Sequence, residues 1–329
     1  MRPLLTSLSA VALAVPLAAQ SALVNQHLGP LEFTPDSTRV VFTTNSGLWS
    51  APIDGSAAAV QLSGGVTLIE AFALTPDSTR VVYRSGRLYS ASVLGGTPVD
   101  LSGTLVSGGS VTGFALSVNG ERVVYRADRF VDERFLLSSV PVDGGVSTIL
   151  NGPMVGGGDV SGFQVSPDGI HVVYRADQDV DNDERLYRVP VNGSAPAVLL
   201  NQQDLDFAPF AIAPDGAHLV VSFGGLQSLP ITGGSLVELS PSASTFLFAD
   251  GGQRVLHVEA ERLKLTPIEG GRSETLNPPP AGELWEFALD GDRVVYRAEQ
   301  DESGAIEIYS SLLQPVEHTP LPSGRPIRR

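Results

Sequence analysis

Three acidic segments carry the side chains best suited to chemistry. The middle segment, residues 177–184, places carboxylates at Asp177, Asp179, Asp181, Asp183 and Glu184. Four aspartates at alternate positions resemble the start of a calcium-binding loop, in which hard oxygen ligands surround a hard cation. The glycine at the sixth position and the glutamate at the twelfth position of an EF-hand loop are missing. The segment therefore indicates either a Ca²⁺ site or a solvated acidic hairpin tip, and both interpretations stay open.

The other two acidic segments, residues 128–133 and 299–302, share one further property with the first. An arginine precedes each of the three segments by two residues. These arginines could bind an anion or a partner, or they could form a bidentate Arg–carboxylate pair that recurs at each repeat junction. The candidate partner-binding residues are Arg126, Asp128, Asp132, Glu133, Arg175, Arg297, Glu299 and Asp301.

The sequence holds no recognisable catalytic constellation. It contains no Gly-x-Ser-x-Gly motif for a nucleophilic serine, and its five histidines lack the spacing of zinc ligands. The glycine-rich segment 156–162 joins two predicted strands instead of opening a helix, so it does not predict a phosphate cradle. We therefore predict no catalytic residue.

A repeated phrase predicts the elements that must position these segments. It consists of two apolar residues two positions apart, a turn centred on Asp-Gly or Asp-Ser, a basic residue and a β-branched run; the clearest copies are residues 33–42, 74–83 and 165–174. The turn recurs seven times at intervals of 36 to 49 residues, at Asp36, Asp77, Asn119, Asp168, Asp215, Gly251 and Asp290. A unit of this length that recurs along a chain indicates an array in which neighbouring copies bury each other.

Each unit predicts four short antiparallel strands. Apolar residues stand five and three positions before every turn, from Leu31 and Phe33 in the first unit to Trp285 and Phe287 in the last, which is the spacing of one strand face. The second strand is the Arg-Val-Val-Tyr run, the third ends in Pro-x-x-Gly, and the fourth ends in Leu-Ser or Leu-Asn. Four strands in about 40 residues describe a propeller blade, so we predict an all-β, seven-bladed β-propeller of four-stranded antiparallel blades.

Only six fourth strands follow their own third strands. The segment Ala22–Gln26 resembles residues 198–202, and we expect it to complete the last blade and close the ring. The segment Val316–Leu321 is the rival for this place.

The Ser/Thr-Pro-Asp-Gly/Ser phrase followed by an apolar strand resembles the WD40-like repeat of the TolB-type β-propellers. The resemblance covers nearly all of the chain after the leader. It implies the propeller fold, and it says little about function because the same repeat occurs in scaffold proteins and beside peptidase domains.

Composition and charge limit the cellular compartment and the binding partners that are expected. The chain has 36 acidic and 21 basic residues, a net charge of −15, and no cysteine. This charge disfavours nucleic acid as a partner. Residues 1–20 have the positive start, short apolar run and small residues of a cleaved signal peptide and are too short for a membrane span. We expect a propeller over residues 21–321, a disordered basic tail over 322–329, and a monomer in the bacterial periplasm or outside the cell.

Two function classes follow. The first is a non-catalytic module that binds a protein, peptide or glycan of the cell envelope on its loop face. The second is a calcium- or other metal-dependent hydrolase or lactonase that uses the acidic loops at the channel mouth. Carboxylates from several repeats that converge on one point favour the second class, and carboxylates on separate loop tips favour the first.

Overall fold

The computed structural model describes residues 29–205, 208–302 and 304–313, and it folds these residues into seven antiparallel sheets. Sheet 1 contains β1 (Leu31–Phe33), β2 (Arg39–Thr44), β3 (Gly47–Pro52) and β4 (Val60–Gln61). Sheet 2 contains β5 (Ala71–Leu74), β6 (Arg80–Ser85), β7 (Arg87–Ser92) and β8 (Val99–Asp100). Sheet 3 contains β9 (Val111–Leu116), β10 (Arg122–Ala127), β11 (Leu136–Pro141) and β12 (Thr148–Ile149).

The next four sheets follow the same strand order. Sheet 4 contains β13 (Val160–Val165), β14 (His171–Ala176), β15 (Arg185–Pro190) and β16 (Val198–Leu199). Sheet 5 contains β17 (Phe210–Ile212), β18 (His218–Ser222), β19 (Leu226–Pro230) and β20 (Val237–Ser240). Sheet 6 contains β21 (Phe246–Ala249), β22 (Arg254–Glu259), β23 (Arg262–Pro267) and β24 (Glu274–Thr275). Sheet 7 contains β25 (Leu284–Asp290), β26 (Arg293–Ala298) and β27 (Glu307–Leu312).

The chain forms two compact units. Among the described residues, the first unit runs to Leu150, includes Val191–Gly193 and holds sheets 1 to 3. The second unit comprises Asn151–Pro190 and the described residues from Ser194 onward, and it holds sheets 4 to 7.

Within each unit, successive sheets share hydrophobic clusters. Val82 and Leu88 of sheet 2 pack with Val123 and Tyr125 of sheet 3 in the first unit. The corresponding residues of sheets 6 and 7 do the same in the second unit. The β-branched second strand is therefore buried on both faces in sheets 2 to 6, which explains why its sequence is a continuous apolar run.

The repeated turn is held by its own side chains. In sheet 2 the Thr75 hydroxyl donates to Asp77 Oδ1 at 2.6 Å, and the same oxygen accepts the Thr79 backbone N–H at 3.1 Å. These two contacts hold the pKa of Asp77 below its usual range, the Thr75 contact most strongly. Ser78 adopts a φ of 63°, in the left-handed region where most other copies use glycine. The Ser/Thr-Pro-Asp phrase is thus a self-capped turn.

The Leu-Ser or Leu-Asn pair also has a structural role. Ser63 Oγ accepts the backbone N–H of Leu48 at 3.2 Å in sheet 1, and Asn201 Oδ1 accepts that of Leu186 at 2.9 Å in sheet 4. The side chain after the short fourth strand therefore continues the backbone ladder of the third strand, because it satisfies an N–H that the fourth strand is too short to reach.

The four-stranded pattern is confirmed in sheets 1 to 6, while sheet 7 has three strands within the described residues. Both segments predicted to supply its fourth strand, Ala22–Gln26 and Val316–Leu321, lie outside those residues, as do the predicted leader and tail.

The predicted register needs one correction, in the last repeat. There the turn is two residues shorter, so Phe287 pairs with Tyr296 as Phe72 pairs with Tyr83 in sheet 2. The sequence alignment had placed Trp285 in that position, because it assumed a turn of constant length.

Candidate functional site

A buried carboxylate joins two loops at one end of sheet 3. Asp128 is buried and begins the β10–β11 loop. Its Oδ1 accepts the backbone N–H of Ser110, a residue of the loop before β9, at 2.5 Å. Its Oδ2 accepts the Glu133 backbone N–H at 3.2 Å, and Glu133 adopts a φ of 61°. Asp128 is one of the predicted partner-binding residues, and the structure places its carboxylate inside the loop pair, where it fixes the shape of both loops.

Sheet 4 repeats this arrangement. Asp177 is buried, and its carboxylate accepts the Asp159 backbone N–H at 2.5 Å and the Asn182 backbone N–H at 3.1 Å. At Gly157, which has a φ of 92°, an added Cβ would lie 2.5 Å from Asp181 Oδ1. The glycine-rich segment therefore packs closely against the acidic loop, which accounts for a glycine at this position.

The remaining carboxylates of residues 177–184 have separate partners. Tyr187 donates its hydroxyl to Asp179 Oδ2 at 3.0 Å. Arg185 donates its Nε to Asp183 Oδ1 at 2.9 Å. Among the described residues, no group of three or more His, Cys, Asp or Glu side chains is arranged to hold a metal ion. Calcium binding by this segment stays a prediction; isothermal titration of chelator-treated protein checks it, and a flat trace would contradict it.

Glu184 is the most deeply buried acid of that segment. Its carboxylate accepts the Ser161 hydroxyl at 2.7 Å and pairs with the Arg175 guanidinium at 3.1 Å. Burial raises the pKa of Glu184, and the contacts from Ser161 and Arg175 oppose that rise. A buried, neutralised pair of this kind serves the packing of sheet 4.

The third acidic segment follows β26 in sheet 7. The Glu299 backbone N–H donates to the Glu283 carbonyl at 2.9 Å, and Gln300 Nε2 donates to the Pro278 carbonyl at 3.1 Å. Asp301 Oδ2 accepts the Tyr309 hydroxyl at 3.2 Å. This segment is thus tied by its backbone and by Gln300 to the loop that precedes β25.

The four arginines in this register contact groups of their own sheets. Three of them pair with a carboxylate: Arg84 with Glu70, Arg175 with Glu184, and Arg297 with Glu286 at 3.4 Å.

The fourth of these arginines is Arg126, at the end of β10. It donates to Thr112 Oγ1 at 2.9 Å and lies 4.0 Å from the centre of the Phe135 ring. Two members of the set also reach the next repeat, because Arg84 donates to the Val111 carbonyl at 3.1 Å and Arg175 donates to the Ala208 carbonyl. These contacts favour the structural interpretation of the arginines.

The clamped loop of sheet 3 presents apolar side chains to solvent. Phe130 is 61% exposed and Val131 is 52% exposed at its tip, and the neighbouring Asp132 and Glu133 are exposed as well. In the second unit, Val180 occupies the equivalent position of the Asp177 loop and is also exposed. The sequence patterns did not single out these apolar residues, although the equal spacing from Asp128 and Asp177 relates Val131 to Val180.

A second feature distinguishes sheet 7. The start of β25 and the loop before β21 border a cavity of about 290 Å³, lined by Ser242, Ala243, Ser244, Thr245, Val258, Leu284, Trp285, Glu286 and Phe287. Trp285 is 38% exposed there, and the Arg297 guanidinium carbon lies 5.8 Å from its ring centre. The sequence alignment hid this site because it assigned Trp285 to the packed position that Phe287 fills.

Comparison with known proteins supports the fold class. No protein-family model matches the chain. No curated protein matches it either. A structure of prolyl endopeptidases is 14% identical with a TM-score of 0.50, and the match covers 83% of this chain and 47% of that one. At this identity the likeness concerns the fold, and it agrees with the repeated four-stranded sheets of a β-propeller.

Two further solved structures are similar over most of their length. A putative TolB from Agrobacterium tumefaciens is 18% identical with a TM-score of 0.40, and the match covers 88% of this chain and 91% of that one. An oligogalacturonate lyase in complex with manganese is 14% identical with a TM-score of 0.44, and the match covers 86% of this chain and 88% of that one.

Within the described residues, no helix is both long and apolar enough to cross a membrane.

Proposed function

We propose that this protein is a non-catalytic binding module that holds a protein or peptide of the cell envelope at its loop tips. The observation that carries the proposal is the β10–β11 loop, where Asp128 fixes the backbone and Phe130 and Val131 stand exposed. A loop held in one shape loses little conformational entropy when a partner binds, so its apolar tip retains more of its burial energy as affinity. Isolated exposed apolar residues are common on proteins, but two adjacent ones on a fixed loop make a suitable anchor.

The charge around this tip indicates the chemistry of the partner. Asp132 and Glu133 directly follow the apolar pair and are exposed, whereas Arg129 precedes it and places its guanidinium carbon 5.3 Å from the Phe130 ring centre. The whole chain carries a net charge of −15. A partner with an apolar patch bordered by lysine or arginine would be complementary, and long-range attraction would speed its association at low ionic strength.

Site-specific photo-crosslinking tests the proposal. A benzoylphenylalanine at position 130 is compared with one at Val146, which is 86% exposed in the β11–β12 turn at the opposite end of the same sheet. In envelope extract we expect one discrete adduct from position 130 and none from position 146. The double reversal Asp132→Lys, Glu133→Lys should reduce the adduct severalfold. Equal yields at both positions, no adduct at 130, or an adduct that survives the reversal would contradict the proposal.

We further propose that the chain is an exported, monomeric, TolB-type propeller of seven blades whose ring is closed by Ala22–Gln26. The support comes from apolar residues of sheets 1 and 7 that are exposed. In sheet 7, Val295 is 38% exposed and Ile308 is 63% exposed, whereas their equivalents in sheets 2 to 6 are buried. Leu31 and Phe33 of sheet 1 are exposed as well. A closed ring would bury these residues, and a fourth strand would cover the free edge of β27.

A disulfide test addresses closure directly, because the chain has no cysteine of its own. By the register of sheet 4, where Arg188 pairs with Val198, a closing strand would place Ala22 opposite Ser310. The variant Ala22→Cys, Ser310→Cys should oxidise to an intramolecular disulfide, whereas Ala22→Cys, Ser139→Cys should not. Failure of the first pair to oxidise would favour Val316–Leu321 as the last strand. N-terminal sequencing of the secreted protein checks the leader, and sizing by light scattering checks the monomer.

A further inference from the structure

Sheet 7 departs from the repeat at the second and third residues of β25. In sheets 2 to 7, a phenylalanine of the first strand pairs with the second strand. In sheets 3, 4 and 6 the two residues immediately before this phenylalanine are small, namely Thr112–Gly113, Ser161–Gly162 and Ser244–Thr245. Sheet 7 has Trp285 and Glu286 at this place. An acid also precedes the phenylalanine in sheet 2, where Glu70 pairs with Arg84. Residues that serve packing recur from sheet to sheet, so the bulky aromatic Trp285, which stands here in sheet 7 alone, points to a ligand.

Trp285 borders a cavity. The space of about 290 Å³ has the Trp285 ring and the apolar side chains of Val258 and Phe287 on its walls. Ser242, Ser244 and Thr245 belong to the same lining, and each carries a hydroxyl group. An apolar wall with a few converging polar groups is the usual composition of a small-ligand site, and this volume is near the lower end of the usual range.

The charged pair at the edge of this cavity is internally balanced. Glu286 and Arg297 lie 3.4 Å apart, with side chains that are 69% and 46% exposed. Because Arg297 and Glu286 offset each other's charge, neither a free cation nor a free anion gains much from the pair. Glu286 can still accept hydrogen bonds from hydroxyl groups, since a carboxylate has more acceptor positions than one arginine fills.

We propose that this cavity binds a neutral saccharide unit. A pyranose ring has an apolar C–H face that fits the Trp285 ring, and its hydroxyls both donate and accept hydrogen bonds. Glu286 accepts from these hydroxyls, while Ser242, Ser244 and Thr245 do either. Arg297 is a positioning residue that holds Glu286 and lies beside the Trp285 ring. The site shares no residue with the β10–β11 loop tip, so its outcome is independent of the partner-binding proposal.

Tryptophan fluorescence tests this site with little background, because the chain contains two tryptophans, Trp49 and Trp285. In the variant Trp49→Phe, emission comes from Trp285 alone. We titrate this variant with maltohexaose, cellohexaose, mannohexaose and chitohexaose, with hexalysine and hexaglutamate as charged peptide controls. At least one saccharide should change the emission with a Kd of about 1 mM or tighter.

Matched variants separate a built site from nonspecific contact. For the saccharide that binds, calorimetry should show affinity at least about tenfold weaker in Trp285→Ala and Glu286→Gln, with most affinity kept in Trp285→Phe, since phenylalanine retains an aromatic face. Circular dichroism confirms that each variant is folded. The proposal is overturned if none of the four saccharides binds, if hexalysine or hexaglutamate binds more tightly than all of them, or if Trp285→Ala binds as tightly as the unmodified protein.

Discussion

Removal of the Asp128 carboxylate should loosen one end of sheet 3 and lower the stability of the first unit. The variant Asp128→Ala deprives the backbone N–H groups of Ser110 and Glu133 of their acceptor. A hydrogen bond to a charged group contributes about 1.5–3 kcal/mol net, and water can replace part of it at a loop. We therefore expect the free energy of unfolding to fall by about 2–4 kcal/mol. Asp128→Asn keeps one acceptor oxygen and should lose about half as much.

The assay combines two measurements. Urea unfolding followed by circular dichroism gives the change in free energy, and amide hydrogen exchange reports on the Ser110 and Glu133 N–H groups individually. Asp132→Ala is the matched control, because this acid is exposed on the same loop and should change stability by no more than about 0.5 kcal/mol. If Asp128→Ala unfolds within about 0.5 kcal/mol of the unmodified protein, with both amides still protected, the carboxylate does not join the loops.

Three further predictions concern single residues. The pKa of Asp77 is lowered in the folded state, chiefly by the Thr75 hydroxyl, so its stabilising contribution is present above about pH 4 and is lost as pH falls through the folded pKa. Asp77→Asn should therefore narrow the gap between the urea midpoints at about pH 7 and about pH 3, and an unchanged gap would contradict this. Burial raises the pKa of Tyr296 to about 12, so the folded state keeps this proton longer than the unfolded chain, and stability should fall as pH rises from about 10 to about 12. Tyrosinate absorbance measures the titration, and Tyr296→Phe should remove this part of the alkaline loss. Asn201→Ala should cost about 1–3 kcal/mol in urea unfolding because the buried Leu186 N–H loses its acceptor, whereas Asn201→Ser, the residue type found in sheets 1 and 2, should cost less than about 1 kcal/mol.

The strands were readable from sequence because their causes are local. Val81-Val82-Tyr83 is β-branched and aromatic, it follows a self-capped turn, and it is buried on both faces of β6. The same local pattern recurs in the other repeats, so six sheets with four strands could be predicted without knowledge of any tertiary contact. The pairing register of the last repeat was predicted wrongly because its turn is two residues shorter. The shorter turn leaves the apolar pattern of the strand unchanged but shifts the residues with which the strand pairs.

The site chemistry was less readable, since loop partners come from distant segments. Asp128 and Asp132 have the same residue type, yet the first is buried against Ser110, eighteen positions earlier, and the second is exposed. No local pattern distinguishes them, because burial of a loop carboxylate depends on which backbone N–H groups the next loop brings near it. Asp179 and Asp183 instead have partners within their own hairpin, Tyr187 and Arg185.

The shared hydrophobic clusters have a consequence for how such a molecule can be altered or can evolve. Each cluster takes one side from a sheet and the other side from its successor, as Leu256 of sheet 6 and Val294 of sheet 7 show. A duplicated gene segment that encodes one whole repeat would bring both a surface for its predecessor and a surface for its successor. No single repeat therefore determines the total number of repeats. A shuffled or consensus array should keep its packing wherever its breakpoints fall between repeats.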